Sequence, residues 1–253
     1  MKLWSDELEA MRPRLREEAD AFIASFTSEL DDPSLPVPER IARQRAVADE
    51  RVMHSEMAVD REIPGPAGPD DCEAAALWVL EHAERELGSD RLLIGGESAG
   101  AHLAACTLLR LRDRHDAVDR FGAANLVFGI YDLGGTPSQR AMTERPDLLT
   151  AEQIEYFTEL FTPGRSVEER RDPDISPLYA DLHGLPPALF TVGADDHLVD
   201  DTLFMAARWA LAGNQAELLV YPETPHGGIG MPSVFEPWFA TLTNFLRRPA
   251  NGG

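Results

Sequence analysis

The run Gly96-Glu97-Ser98-Ala99-Gly100 sets a serine between small residues, directly after the apolar stretch Arg91 to Gly95 and directly before a helix predicted from Ala99 to about Arg112. A G-x-S-x-G pattern in that context forms a sharp strand-to-helix turn with the serine hydroxyl exposed at its tip. The turn strains the backbone at Ser98, and small neighbours let strand and helix approach. The helix dipole and the first N–H groups of the helix favour a negative charge developing at the serine. The chemistry such a serine performs is nucleophilic attack on an acyl carbon.

A serine hydroxyl needs a neighbouring base to take its proton. Of the seven histidines, His82, His102 and His115 lie in or beside predicted helices and read as packing or surface residues. His183 precedes Gly184-Leu185-Pro186 in a loop, and His54 precedes Ser55-Glu56-Met57. His226, in Pro225-His226-Gly227-Gly228, follows a predicted strand at the edge where α/β sites form. The imidazole in turn needs a carboxylate to hold its tautomer. Asp195 and Asp196 both follow another predicted strand, while Asp200 and Asp201 read as first-turn residues that stabilise a helix dipole. The chain order serine, aspartate, histidine separates this arrangement from the trypsin-like and subtilisin-like orders.

The elements that must position these groups alternate. Apolar periodicity predicts helices over 5–30 and 37–56, a weak strand over 57–63, and a Pro/Gly knot from Pro64 to Pro69. Helices are then expected at Asp70 to Leu87, Asp200 to Ala212 and Val234 to Arg247, with strands at Arg91 to Gly95, Asn125 to Tyr131, Ala188 to Val192 and Leu218 to Tyr221. Continuous apolar strands separated by helices imply a parallel sheet covered on both faces, an α/β fold. Thr150 and Gln153 form a capping-box pair for a helix over Ala151 to Phe161.

Composition narrows the partners. The 253 residues allow one large domain or two small ones, and 43% apolar with 26% charged side chains is a globular balance. A net charge of −21 argues against nucleic acid. No stretch approaches the roughly 18 uncharged apolar residues of a membrane span, and Met1 to Arg14 is charged rather than leader-like, so a cytoplasmic location is expected. Cys72 and Cys106 read as buried free thiols. No metal-ligand spacing, P-loop or dinucleotide glycine motif is present, so no cofactor is implied.

From Ala67 onward the chain resembles the hormone-sensitive-lipase-like branch of the α/β-hydrolases, a group of bacterial esterases and lipases. The resemblance rests on Asp70-Asp71-Cys72, on Gly96 through Ala105, on Ser176-Pro177-Leu178-Tyr179-Ala180, on Leu185-Pro186-Pro187-Ala188 and on Asp196-His197-Leu198-Val199-Asp200-Asp201. The last run is similar to the family's Asp-Pro-Leu-x-Asp-Glu acid loop, a register that selects Asp196 over Asp195. His197 stands where proline is usual, and Gly228 where phenylalanine is frequent. The resemblance implies an α/β-hydrolase fold, with residues 1–56 as an N-terminal helical cap segment, 57–253 as the core and 134–178 as a cap-like insert. Trp4, Phe22, Phe26, Ile154, Phe157 and Phe161 are candidates for an apolar cap lining, and ordinary core packing accounts for them equally well.

The resemblance implies Ser98 as nucleophile, His226 as base, Asp196 as its orienter and the Ala99 N–H as one oxyanion donor. It implies a serine carboxylic-ester hydrolase of short acyl esters that works through an acyl-enzyme. The family's His-Gly-Gly-Gly oxyanion segment is absent from this sequence, and only one possible strand, 57–63, precedes the strand-turn-helix unit of Ser98 where the family has four. The gap is on the order of 50 residues, given about 30 for one βαβ unit. Arg91 to Gly95 would then be an edge strand, open to dimerisation. The alternative expectation is a truncated relic of such a hydrolase, impaired in turnover.

Overall fold

The computed structural model describes residues 3–30, 34–43, 68–141 and 148–248. The 57–63 strand and most of the Pro/Gly knot lie outside the described residues, as does the greater part of the 37–56 helix. Helix α1 (Asp6–Leu30) comes first, and residues 37–43 are also helical. The alternating part runs α2 (Gly68–Leu87), β1 (Leu92–Glu97), α3 (Ala99–His115), β2 (Phe121–Val127), α4 (Ala151–Phe161), the single turn α5 (Val167–Arg170), β3 (Ala188–Gly193), α6 (Val199–Leu211), β4 (Ala216–Tyr221) and α7 (Pro232–Leu246). The strands form one parallel sheet in the order β1-β2-β3-β4. Among the described residues β1 lies at a sheet edge.

The β2 strand begins and ends four residues earlier than periodicity predicts. Gly122-Ala123-Ala124 has poor intrinsic strand preference, yet Ala123 and Ala124 are buried in register with Leu93 and Ile94 of β1. At the other end Phe128 turns to a φ of 36°, which no strand can continue through.

Right-handed crossovers on a sheet of monotonic order put their connecting helices on one face. Accordingly, α2, α3 and α6 share a core with Phe121, Leu126 and Phe190, in which Trp209 is completely buried. The Trp209 ring meets Phe190 edge-on at 5.6 Å, and its indole N–H donates to the Pro186 carbonyl at 3.0 Å. A second core joins α1 and α7 to Val127, Val192 and Val220. Trp4 and Phe22 pack against this second core. The 37–43 stretch reaches α4 through Arg40 and Glu152, 2.7 Å apart.

Asp201 lies in the first turn of α6, as the sequence suggests, and its carboxylate also reaches the loop after β2. It is fully buried, and its Oδ1 accepts the N–H groups of Tyr131 (2.7 Å) and Asp132 (2.9 Å). Its Oδ2 accepts the Thr136 hydroxyl at 2.6 Å and the Gln139 amide at 2.7 Å. Next to it, the Asp200 carboxylate accepts the Ser138 N–H at 2.9 Å, and the Ser138 hydroxyl donates to the His197 carbonyl at 2.7 Å. The loop after β2 is therefore fastened to the loop after β3. These partners are about 60 to 70 residues distant, so helix position alone could not reveal them.

Two outcomes follow from this packing. Trp209→Ala should cost about 3–5 kcal/mol of unfolding free energy in a urea titration, because a cavity replaces the largest buried ring. Burial pushes the Asp201 carboxyl up to about 6 against the pull of its donors. A carboxyl raised above its unfolded value near 3.9 binds a proton more tightly when folded, so its contribution to stability falls as pH rises through that window. Between pH 5 and 8 wild type should therefore lose about 1 kcal/mol relative to Asp201→Asn, which has no proton to titrate. A pH-independent gap between the two would contradict this.

Candidate active site

The three loops that leave the carboxyl ends of β1, β3 and β4 meet above the sheet. Ser98 follows β1 directly and takes φ 54° and ψ −119°, the strained turn expected of it. Gly96 makes that turn possible: a Cβ there would lie 2.3 Å from the Gly100 carbonyl carbon. Gly100 is under no such demand, since a Cβ on it would meet nothing within 4 Å. Close approach thus requires only the first of the two glycines.

The structure brings together the serine, histidine and aspartate singled out in the sequence. His226 Nε2 lies 3.1 Å from Ser98 Oγ, and His226 Nδ1 lies 2.9 Å from Asp196 Oδ2. The Asp196 carboxylate also accepts the Leu198 N–H at 2.8 Å and is completely removed from solvent. The imidazole packs edge-on against Phe128 at 4.7 Å, so the outlier that ends β2 supplies a wall for it. Asp195 instead donates its N–H to the Thr224 carbonyl at 3.1 Å, which binds the aspartate loop to the histidine loop. Gly193 permits that approach, because a Cβ there would stand 2.0 Å from the Thr224 oxygen. A hydroxyl, an imidazole and a buried carboxylate in this sequence of contacts can pass a proton from oxygen to nitrogen while the carboxylate stabilises the resulting imidazolium.

Both departures from the family pattern have local explanations. A Cβ on Gly228 would fall 2.4 Å from Thr224 Cγ2, so the larger side chain has no room in this loop. His197 places Nδ1 3.0 Å from the Ser138 carbonyl oxygen, adding to the link between the loops after β2 and β3.

Beside Ser98 opens a cavity of about 610 Å³, walled by Ile130, Leu133 and Leu198 from the sheet loops and by Ile154, Phe157 and Phe161 from α4. The capping box at Thr150 and Gln153 forms as predicted and starts α4 over this cavity. Of the six proposed lining residues, the three on α4 reach the cavity, Trp4 and Phe22 lie in the second core, and the Phe26 side chain lies outside the described residues. Ala99 opens α3 at the cavity wall. His102, one turn along α3, also lines it; burial lowers its pKa, against the opposing effect of its 2.8 Å contact with the Ile175 carbonyl, so the ring stays neutral. Burial pushes the Cys106 thiol up to about 12, leaving it unreactive, as expected of a packed thiol. The sequence marked His102 only as a packing residue, because nothing local shows which side of a buried helix faces a hollow.

No helix among the described residues is long and apolar enough to cross a membrane. A family profile described as alpha/beta hydrolase fold matches residues 60–229. Carboxylic ester hydrolase LipN of Mycobacterium tuberculosis (strain ATCC 25618 / H37Rv) is 31% identical over 189 residues, spanning 73% of this chain and 50% of LipN. Carboxylesterase NlhH of the same strain is 31% identical over 210 residues, spanning 79% of this chain and 63% of NlhH. The crystal structure of the HSL-homolog EstE7 from a metagenome library superposes with a TM-score of 0.61 at 30% identity, over 75% of this chain and 63% of EstE7. The chain therefore spans between 50% and 63% of the length of these relatives. With a matching profile over most of its length, the chain belongs to the alpha/beta hydrolase family.

Proposed function

We propose that this chain is a serine carboxylic-ester hydrolase of short acyl esters that works through an acyl-enzyme. Ser98 Oγ attacks the acyl carbon while His226 Nε2 takes its proton, and the carbonyl oxygen of the tetrahedral intermediate accepts the Ala99 N–H. The alcohol leaves with the proton returned by His226, and the acyl group remains on Ser98. Water then attacks the acyl-serine, losing a proton to His226, and the second intermediate collapses to free acid as His226 returns that proton to Ser98 Oγ. Asp196 orients the imidazole throughout. The observation that carries this reading is the contact chain from Ser98 through His226 to Asp196 at the mouth of an apolar cavity. The esterase names of the relatives point the same way. In this reading α4 and the surrounding residues 134–178 act as a cap over the acyl group.

One observation favours a second reading, that of a relic without turnover. The sequence lacks His-Gly-Gly-Gly, and losing one oxyanion donor costs about 10²–10³-fold in kcat. Two measurements separate the readings. Ser98→Ala should reduce hydrolysis of p-nitrophenyl acetate by at least about 10³-fold, whereas an unchanged rate removes Ser98 from the chemistry. A fluorophosphonate should label the folded wild type at Ser98 and leave Ser98→Ala unlabelled; a folded wild type that resists labelling points to the relic.

A further inference from the structure

Glu223 stands two residues beyond β4 and three before His226, with a φ of 56°. Glycine or asparagine normally fills such a left-handed position, and a residue with a longer side chain stays there only when its surroundings enforce it. Here the surroundings are two arginines from the far end of the chain. Arg12 donates to Glu223 Oε1 from Nε at 3.0 Å and from Nη2 at 2.6 Å, and Arg16 Nε donates to Oε2. Glu223 itself is only 7% exposed. Burial alone would raise its pKa, but the hydrogen bonds from Arg12 and Arg16 outweigh it and hold the carboxyl below the usual range. Such charge-assisted contacts are stronger than neutral ones.

The same helix grips the far side of the histidine loop. Glu18 accepts the Ser233 N–H at 3.0 Å and the Ser233 hydroxyl at 2.6 Å, at the start of α7. Thus α1 holds the chain ten residues apart, before and after His226. We propose that Glu223 is a positioning residue: anchored by Arg12 and Arg16, it makes α1 the brace that fixes the loop carrying His226 against Ser98. This rests on reading His226 as the base of the proposed hydrolysis.

The test uses the full chain, with Glu223→Gly, Glu223→Gln and the double variant Arg12→Ala/Arg16→Ala. Glu223→Gly deletes the carboxylate while relieving the backbone, so it remains informative even if the arginine variant fails to fold. Urea unfolding establishes which variants are folded. In folded Glu223→Gly and the arginine variant, kcat for p-nitrophenyl acetate should fall about 10- to 100-fold with KM within about twofold, the cost of a misplaced catalytic group. Glu223→Gln keeps one acceptor for the arginines and should lose only a few-fold. The downfield proton NMR signal of the His226 Nδ1–H bonded to Asp196 should broaden or vanish in the two stronger variants. Wild-type kcat together with an unchanged imidazole signal in folded Glu223→Gly would overturn the proposal. If wild type itself does not hydrolyse the ester, the esterase reading fails, and the imidazole signal alone decides whether the brace positions His226.

Discussion

For a proton to pass from Ser98 to His226, loops that follow three different strands must agree to within about half an ångström. The parallel sheet brings them to one edge, but loops do not hold that tolerance unaided. Most of the polar architecture above the sheet answers this requirement. Asp201 and Ser138 fasten the loop after β2 to the loop after β3. The contact between the Asp195 N–H and Thr224 fastens the latter to the histidine loop. Asp201 is fully buried and accepts four donors, so removing its carboxylate leaves several donors stranded.

Backbone outliers gather around the same edge. Ser98, Phe128 and Glu223 all carry positive φ without being glycine. One is the hydroxyl-bearing turn, one supplies the wall against which the imidazole rests, and one anchors the loop leading to that imidazole. Among the described residues the remaining non-glycine outlier, Asp116, has an ordinary local role as the left-handed C-cap of α3. Strain distributed in this way is expected where surrounding contacts impose a geometry that the local chain would not choose.

Ser98 and His226 are legible because each carries a local signature: a glycine-flanked turn between strand and helix, or a loop just past an apolar strand; that signature fits Asp195 and Asp196 alike, and only the resemblance to the family's acid loop selects Asp196. The capping box of α4 was legible from its own local pattern. The boundaries of β2 were not, because burial against β1 overrode the weak strand preference of Gly122-Ala123-Ala124. Asp201 looked like any first-turn acid until the loop after β2 folded onto it. The pairing of Arg12 and Arg16 with Glu223 spans more than 200 residues and leaves no periodic or motif-like trace. The lining residues divided similarly: helical spacing places Ile154, Phe157 and Phe161 on one side of α4, but only tertiary contacts send Trp4 and Phe22 to a different core.

The strands lie side by side in the order in which a ribosome would release them, so each new strand finds its neighbour already made. Helix α1 has the opposite history. It is synthesised before every strand of the described sheet, yet its polar anchors, Glu223 and Ser233, emerge more than 200 residues later. During translation its apolar stripe must wait without a partner, a condition in which nascent chains depend on chaperones. The docking of α1 is thereby tied to completion of the histidine loop, and a polypeptide interrupted at the end of β4 would lack both anchors at once.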